Sequence, residues 1–332
     1  MAILLTGAAG FIGFHVAQVL LQRREDVVGL DNLNDYYDPR LKHARLDQLQ
    51  GKKGFKFFQV DIAEPDAVRE AAQTATKAGA DITKVIHLAA QAGVRYSLVN
   101  PYAYIRANVL GHTVMLEFCR SLKNCEHFVY ASSSSVYGGN TKLPFAVEDR
   151  VDSPISLYAA TKKADELISH AYAHLFGFPQ TGLRFFTVYG PWGRPDMAMY
   201  IFTKAIFEGR PIQVFNNGDM QRDFTYIDDI VNGVIRTLDH PPPPNEQGRP
   251  YRVYNIGNSK SEPLLRMIEL IEQATGRKAE KQFLPIQEGD VPATYADISA
   301  IQRDTGFAPT TPIDVGIPRF VDWYRRYHNM VG

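Results

Sequence analysis

Short apolar runs alternate with longer amphipathic segments through the first half of the chain. The first run leads into a segment in which Ile12, Val16, Val19 and Leu20 recur at helical spacing, so that they share one helix face. Alternation of strand and helix predicts a parallel sheet with helices on both faces. The apolar runs predict strands at 3–5, 26–30, 57–60, 85–88, 128–131 and 181–185.

The pattern changes from about residue 186, where prolines and glycines become denser and the strands shorter. We therefore predict an α/β fold, a doubly wound parallel sheet of the Rossmann type over 1–185, followed by a smaller mixed α/β lobe over 186–332. Segments near 227–238 and 251–257 are expected to return to the first domain. Helices are predicted at 101–121, 155–176, 198–208, 227–238, 264–274 and 315–327.

Composition restricts the kinds of partner. The 332 residues hold 36 Lys+Arg and 36 Asp+Glu, so no basic field attracts nucleic acid or an anionic membrane. The two cysteines suggest no disulfide framework, which favours a reduced, cytoplasmic setting. The amino terminus lacks a basic leader and a cleavage site, and no apolar run approaches the length of a membrane span.

Three glycines, Gly7, Gly10 and Gly13, link the first strand to the first helix. The first permits a tight turn, the second lets the backbone approach a phosphate, and the third lets the helix pack close to the strand. The amino terminus of that helix then presents unpaired N–H groups to a diphosphate. The G-x-x-G-x-x-G spacing differs from the G-x-G-x-x-G of ordinary dehydrogenases.

An acid at the end of the second strand completes the dinucleotide-binding pattern. Asp31 lies eighteen residues after Gly13 (31 − 13), where a carboxylate accepts hydrogen bonds from a ribose 2′-hydroxyl and repels a 2′-phosphate. NAD is therefore favoured over NADP. We expect the cofactor to contact the ends of several strands, at Gly7, Gly10, Phe11, Ile12, Gly13, Asp31, Asn32, Asp61, Ile62, Leu88, Ala89, Ala90 and Gln91.

Tyr158 and Lys162 stand four residues apart on a predicted helix. Residues at this spacing share a helix face, so a phenol and an ammonium are presented side by side. At about 4 Å and an effective dielectric of about 20, the ammonium favours a neighbouring phenolate by roughly 4 kcal/mol. The pair can therefore serve as a proton acceptor near neutrality.

Together with two further motifs, these features make the chain resemble the extended short-chain dehydrogenase/reductases. The motifs are Ala131–Gly138 (ASSSSVYG) and Arg184–Pro191 (RFFTVYGP), before and after the helix of Tyr158. The resemblance implies bound NAD, Tyr158 as acid/base, Lys162 on the nicotinamide ribose and Ser133 on the sugar hydroxyl. Asn108 also matches a family position that serves the cofactor.

The residues before Val136 discriminate among the reactions of this family. Sugar-nucleotide 4,6-dehydratases carry Thr-Asp-Glu there and UDP-glucuronate decarboxylases carry Thr-Ser-Glu, whereas this chain has Ser133, Ser134 and Ser135. The absence of both carboxylates disfavours water loss. What remains is similar to the UDP-sugar 4-epimerases, isomerases that need only the Tyr, the Lys, a hydroxyl and NAD regenerated in each cycle. All three serines are candidate sugar contacts.

The loop after the sixth strand carries the clue to the substrate. Its sequence, Tyr189–Ala198 (YGPWGRPDMA), looks like that of UDP-glucuronate 4-epimerases, where an Arg faces the sugar carboxylate. Arg194 is then the expected carboxylate ligand, since a guanidinium holds a carboxylate through two parallel hydrogen bonds. Thr187 replaces the Asn of UDP-galactose 4-epimerases and is a second candidate sugar contact.

The resemblance also suggests how the UDP is held, with Arg222 on the diphosphate and Asp290 on a ribose. Gln287 stands where UDP-galactose epimerases have a second diphosphate Arg, and Arg95, just after the fourth strand, is the candidate cation in its place. No metal is expected. The family resemblance implies a homodimer in which helices 101–121 and 155–176 pair with their copies in the second subunit. UDP-galactose or UDP-N-acetylhexosamine 4-epimerisation, UDP-glucuronate decarboxylation, a plain oxidoreductase and a non-catalytic NAD-binding regulator remain as alternatives.

Overall fold

The computed structural model of the chain describes residues 1–287 and 290–330. The strands are β1 (Ala2–Thr6), β2 (Asp26–Asp31), β3 (Phe55–Gln59), β4 (Ile82–His87), β5 (His127–Ser133), β6 (Gln180–Phe185), β7 (Thr187–Tyr189), β8 (Ile212–Val214), β9 (Gln221–Tyr226), β10 (Tyr251–Ile256), β11 (Ser261–Pro263) and β12 (Lys281–Phe283). The α-helices are α1 (Phe11–Gln22), α2 (Pro39–Leu46), α3 (Pro65–Lys77), α4 (Tyr96–Val99), α5 (Pro101–Tyr104), α6 (Gly111–Ser121), α7 (Leu157–Phe176), α8 (Ala198–Phe207), α9 (Ile227–Asp239), α10 (Leu264–Thr275), α11 (Ser299–Thr305) and α12 (Ile313–Tyr327).

Seven parallel strands form the main sheet in the order β10-β6-β5-β4-β1-β2-β3. The chain starts at β1, runs outward through β2 and β3, and then continues on the other side with β4. This reversal between β1 and β4 opens a crevice at the carboxyl ends of the strands, where open α/β sheets bind their ligands. The predicted doubly wound parallel sheet is confirmed.

The central strands of the sheet are buried on both faces, which explains why β1, β2 and β5 contain unbroken apolar runs and do not alternate. Every residue of β1 and of β6 is buried. On one face α3 and α6 cover the sheet with Val68, Ala72, Met115 and Leu116. On the other face α1 and α9 pack together, and their core continues into the second half of the chain.

The second half adds two small sheets and the helices that cover them. The strands β11-β9-β7 form one sheet and β12-β8 the other, while α10 packs between α8 and α12. Strand β10 belongs to the main sheet, where it pairs in parallel with β6. A smaller mixed lobe therefore stands beside the sheet, as expected; the division at residue 185 stays a prediction.

The predicted helix at 101–121 is helical over its whole length, but its geometry changes partway along. Between α5 and α6 lies a π-helical turn, Ile105–Leu110, in which Asn108 is buried. Such turns add a residue to the helix and are frequent at functional sites. Cys119 and Cys125, near the end of α6, are both free. None of the helices in the described ranges has the length and apolar character that crossing a membrane requires.

Candidate active site

A cleft of about 2020 Å³ lies at the carboxyl ends of the main-sheet strands. A smaller cavity of about 220 Å³ shares part of its wall and extends between the small sheets, α8 and α12. The cleft brings together most of the predicted site residues: Gly7, Gly10, Phe11, Ile12, Gly13, Asp31, Asn32, Asp61, Ile62, Leu88, Ala89, Ala90, Gln91, Arg95, Ser133, Ser134, Ser135, Tyr158, Lys162, Thr187, Arg194 and Asp290.

The glycine turn is shaped so that no side chain fits into it. Gly7 has a left-handed φ of +71°, and a Cβ there would lie 2.9 Å from the backbone nitrogen of Ala89. A Cβ on Gly10 would lie 2.9 Å from the Gly7 carbonyl oxygen, and one on Gly13 would overlap the same oxygen. Helix α1 starts directly after this turn, so its free N–H groups face the cleft.

The acid at the end of β2 is already oriented by the protein. Asp31 accepts hydrogen bonds from the backbone N–H of Ala9 at 3.1 Å and of Leu33 at 2.9 Å. The Nζ of Lys42, a buried lysine of α2, lies 3.9 Å from the carboxylate and donates to Asn34. These contacts fix the carboxylate beside the glycine turn, where an adenosine ribose would lie.

Tyr158 lies in the first turn of α7, which the side chain of Ser156 caps by accepting from the N–H of Ala159. Lys162 lies one turn further along the same face. Its buried ammonium donates to the Ala131 carbonyl and to Asp165, each at 3.0 Å. Since an ammonium has three donors, one is left for a ligand in the cleft.

Asp165 is the counter-ion of this lysine and is itself buried. Burial raises the pKa of the Asp165 carboxyl to about 6, although the Lys162 charge and hydrogen bond oppose the rise. The lysine is therefore held between a carbonyl and a carboxyl, in the cleft that Tyr158 also lines.

Ser133 is the last residue of β5, and its hydroxyl accepts from the N–H of Ser135 at 3.1 Å. The neighbouring Ser132 points the other way and donates to Glu166 at 2.7 Å. Arg184 completes this buried anchor through two hydrogen bonds to Glu166. The hydrogen bonds among Ser132, Glu166 and Arg184 thus fix the end of β5. Ser133, Ser134 and Ser135 line the cleft.

Asn108 is not brought into the cleft. Its amide nitrogen donates to the Gln91 carbonyl and to Thr161, and its amide oxygen accepts from the Gln91 N–H. Both polar atoms of the side chain are therefore occupied by protein groups. The side chain instead links the Gln91 backbone, which lies on the cleft wall, to the helix of Tyr158.

Arg194 lines the cleft and forms an ion pair with Asp196. Its Nε donates to Asp196 at 3.0 Å and its Nη2 at 2.5 Å, and the Tyr36 hydroxyl donates to the same carboxylate at 3.1 Å. Burial alone would lower the pKa of Arg194, but the charge and hydrogen bonds of Asp196, together with the nearby Tyr36 and Tyr158, outweigh burial and the pKa is raised. Burial likewise opposes ionisation of Asp196, yet Arg194 holds the pKa of that carboxyl below its usual range.

The smaller cavity carries the predicted cations for a diphosphate. Arg222 donates to Asp290 at 2.6 Å, and burial lowers the pKa of this arginine against the opposing effect of Asp290. The guanidinium of Arg95 lies over the Phe215 ring at 5.2 Å. Thr187, the second candidate sugar contact, begins the short strand β7 and lines both cavities.

Sequence reasoning missed several charged or polar residues of this site. Tyr36 and Lys42 follow Asp31 in the chain, and Asp196 stands inside a motif from which only Arg194 was selected. The signal for Tyr36 and Lys42 was the density of polar and aromatic residues directly after Asp31, and the signal for Asp196 was its place in that motif. Among the described residues, no group of three His, Cys, Asp or Glu side chains is placed to hold a metal ion.

Comparisons with known proteins agree with this geometry. Residues 3–257 match the sequence profile of the NAD dependent epimerase/dehydratase family. A probable UDP-glucuronate 4-epimerase of Rhizobium meliloti is 47% identical and covers 100% of both chains. A Bacillus cereus UDP-glucuronic acid 4-epimerase, solved with UDP-glucuronic acid and NAD, is 35% identical with a TM-score of 0.89, over 98% of this chain and 100% of that chain.

A third relative acts on a neutral sugar nucleotide. The UDP-glucose 4-epimerase of Thermotoga maritima, solved with UDP-glucose, is 27% identical with a TM-score of 0.86, over 99% of this chain and 100% of that chain. The resemblance to extended short-chain dehydrogenase/reductases is thus confirmed over nearly the whole length. The chain belongs to the NAD dependent epimerase/dehydratase family.

Proposed function

We propose that this protein is an NAD-dependent isomerase that converts UDP-glucuronate to UDP-galacturonate through a transient 4-keto sugar. The observation that carries the proposal is one cleft that holds a glycine cradle, the Tyr158–Lys162 pair and Arg194. The similarity to UDP-glucuronate 4-epimerases over 98% or more of the chain supports the same activity.

The described residues fit NAD. The glycine turn leaves room for a diphosphate where any Cβ would intrude, and Asp31 stands ready for the ribose hydroxyls. When bound, NAD takes a hydride from the sugar C4 and returns it to the opposite face of that carbon. Because nothing is consumed in this cycle, the cofactor is expected to stay bound.

Tyr158, Ser133 and Lys162 handle the proton. Tyr158 accepts the proton of the sugar 4-hydroxyl, and Ser133 bridges the two oxygens. The Lys162 ammonium stabilises the phenolate, since it lies one helical turn away and keeps one donor free. After the 4-keto sugar has turned its other face to the nicotinamide, Tyr158 returns the proton to the new hydroxyl.

Arg194 and Thr187 hold the sugar carboxylate, while Arg222, Asp290 and Arg95 hold the UDP. The 4-keto uronate is a β-keto acid, which loses CO₂ when its C5–C6 bond aligns with the carbonyl π system. A carboxylate held away from that alignment resists the loss. Serines at 134 and 135 leave no carboxylate there to act on C5.

The direct test is incubation of the purified protein with UDP-glucuronate, with the products identified by NMR. We expect UDP-galacturonate without added NAD, because the cofactor is recycled in each turnover. UDP-xylose with CO₂ would identify a decarboxylase instead. No reaction would redirect the assignment to neutral UDP-hexoses.

UDP-galactose 4-epimerisation is the second candidate, because the Thermotoga maritima relative acts on a neutral sugar nucleotide with the same fold. Arg194 discriminates between the two. In Arg194→Ala, kcat/KM for UDP-glucuronate should fall by roughly 10- to 100-fold, the value of one charge-assisted bidentate pair, while that for UDP-glucose changes little. Equal losses on both sugars would show that Arg194 does not recognise the carboxylate.

We place the enzyme in the cytoplasm, in keeping with its two free cysteines. We also propose a homodimer. Large apolar side chains are exposed on α4, on α5, on the π-helical turn after it and on α7: Leu98 (72% exposed), Val99 (77%), Tyr102 (83%), Ile105 (49%) and Leu167 (60%). Such a cluster on adjoining helices is typical of a surface that a second copy covers.

Charge at this surface should separate the subunits. We expect Leu167→Glu combined with Tyr102→Glu to halve the mass measured by light scattering, because two desolvated carboxylates per subunit would face their copies. Val315→Glu, an exposed apolar residue of α12 outside this cluster, serves as the control and should leave the mass unchanged. A monomeric wild type would refute the proposed dimer.

A further inference from the structure

The arginine proposed to hold the sugar carboxylate does not stand free in the cleft. Both of its hydrogen bonds to protein side chains in the described ranges go to Asp196, from Nε to Oδ1 and from Nη2 to Oδ2. A guanidinium has five N–H donors in one plane. Asp196 occupies the Nε–Nη2 edge, so the edge formed by Nη1 and Nη2 is the one left for a ligand.

Asp196 in turn accepts a hydrogen bond from a residue that is distant in sequence. Tyr36, in the loop after the ribose acid Asp31, donates its hydroxyl to Asp196 Oδ2. That hydroxyl lies against Gly93, where a Cβ would come within 2.6 Å of it. The Tyr36 ring packs on Tyr96, with 4.9 Å between centroids. The tyrosine is therefore fixed independently of Arg194.

The backbone that carries Arg194 is also fixed from the cofactor side. Arg45, a fully buried residue of α2, donates to the Trp192 carbonyl at 2.6 Å and to the Ala9 carbonyl of the glycine turn at 2.9 Å. His15 of α1 contacts the Pro191 carbonyl at 3.0 Å. With the main chain anchored, the direction of the Arg194 side chain depends on Asp196 and Tyr36.

We propose that Asp196 and Tyr36 are positioning residues that direct one edge of Arg194 at the sugar carboxylate and thereby suppress loss of CO₂ from the 4-keto intermediate. This inference rests on the proposed UDP-glucuronate 4-epimerase activity. Without the pair, Arg194 keeps its charge but gains rotamer freedom, so the carboxylate reaches the reactive alignment more often.

The side reaction is balanced as follows. The C5–C6 bond breaks, its electron pair is delocalised as an enolate onto the C4 oxygen, and CO₂ leaves. A proton then adds to C5 and gives a UDP-4-ketopentose. Carbon 4 stays at the ketone level, so the hydride removed from it returns only if the ketone is reduced, and it stays on the bound cofactor if the ketopentose leaves the enzyme.

The chain provides a matched control for this arrangement. Arg303, Asp304 and Tyr254 form the same trio outside both cavities: arginine Nε to aspartate Oδ1, arginine Nη2 to Oδ2 and the tyrosine hydroxyl to Oδ2. Asp196→Asn and Tyr36→Phe are therefore compared with Asp304→Asn and Tyr254→Phe, which remove the same kinds of group.

The experiment uses the enzyme as purified with its cofactor and UDP-glucuronate labelled with ¹³C at C6. NMR measures ¹³CO₂ and bicarbonate against labelled UDP-galacturonate, and melting temperature with bound NAD checks the fold. We expect the ratio of CO₂ to epimer to rise by about tenfold or more in Asp196→Asn, the effect of losing one charge-assisted interaction. Tyr36→Phe should give a smaller rise, and both control variants the wild-type ratio.

A folded, NAD-bearing Asp196→Asn with the wild-type ratio would overturn the inference, as would an equal rise in Asp304→Asn. Slower turnover with an unchanged ratio counts against it too, because that is what a merely structural role predicts. If Asp196→Asn does not fold, Tyr36→Phe decides by the same ratio. A wild type that forms no UDP-galacturonate instead refutes the proposed function, and the inference with it.

Discussion

Replacing Tyr158 by phenylalanine should lower kcat for UDP-glucuronate by roughly 10²- to 10⁴-fold, the usual contribution of a positioned acid/base group. The substitution removes one hydroxyl and keeps the ring, which packs edge-on against Tyr104 with 6.0 Å between centroids. Ser133 does not replace it, since a serine hydroxyl has no cation beside it to stabilise its anion. Lys162 does not replace it either, because it already spends two of its three donors on Ala131 and Asp165.

The measurement is initial velocity of UDP-galacturonate formation, together with the amount of NAD released when the purified variant is denatured. NAD content should equal that of the wild type, because Tyr158 lies beyond the glycine turn and Asp31. Tyr172→Phe is the control: this residue of the same helix loses a hydroxyl bond to Glu117 of 2.6 Å, remote from the cleft. Near-wild-type rates for Tyr158→Phe would reject the phenol as the acid/base.

The fold was largely predictable from local signals. Strands buried on both faces appear in the sequence as unbroken apolar runs, and an α-helix between two strands makes them parallel. The glycine turn was also predictable from a local signal, because its three glycines lie within seven residues of sequence and act through the conformation of their own backbone. Strand β10 was predicted only as a segment near 251–257 that returns to the first domain, because Tyr251–Ile256 joins the sheet across an intervening lobe.

The fine structure of the site depends on contacts that no local pattern reveals. Tyr36 and Asp196 meet across 160 residues of sequence, and the bond depends on the path of two loops. Asn108 shows the converse case. Its position in the family motif suggested a cofactor contact, yet the π-helical turn buries it against Gln91 and Thr161. A sequence motif identifies which residue is a candidate, whereas the direction of its side chain depends on tertiary packing.

Replacing Gly13 by alanine should deprive the purified enzyme of its NAD and of nearly all activity. A Cβ at this position would lie closer than 3.0 Å to the carbonyl oxygen of Gly7, a distance that real Cβ atoms do not show. Either α1 moves away from the turn or the Gly7 peptide rotates, and each change displaces the N–H groups that face the diphosphate. Strain of this kind costs about 1–3 kcal/mol.

We expect affinity for NAD, measured by calorimetry on cofactor-free protein, to fall by about tenfold to a hundredfold, which is that free energy converted at about 1.4 kcal/mol per decade. Gly139→Ala is the matched control, because a Cβ there meets its nearest neighbour, Ile155, at an ordinary 3.9 Å. Excess NAD should partly restore turnover of Gly13→Ala, whereas it should do nothing for Tyr158→Phe. Full activity of Gly13→Ala without added NAD would mean that the diphosphate does not lie on this turn.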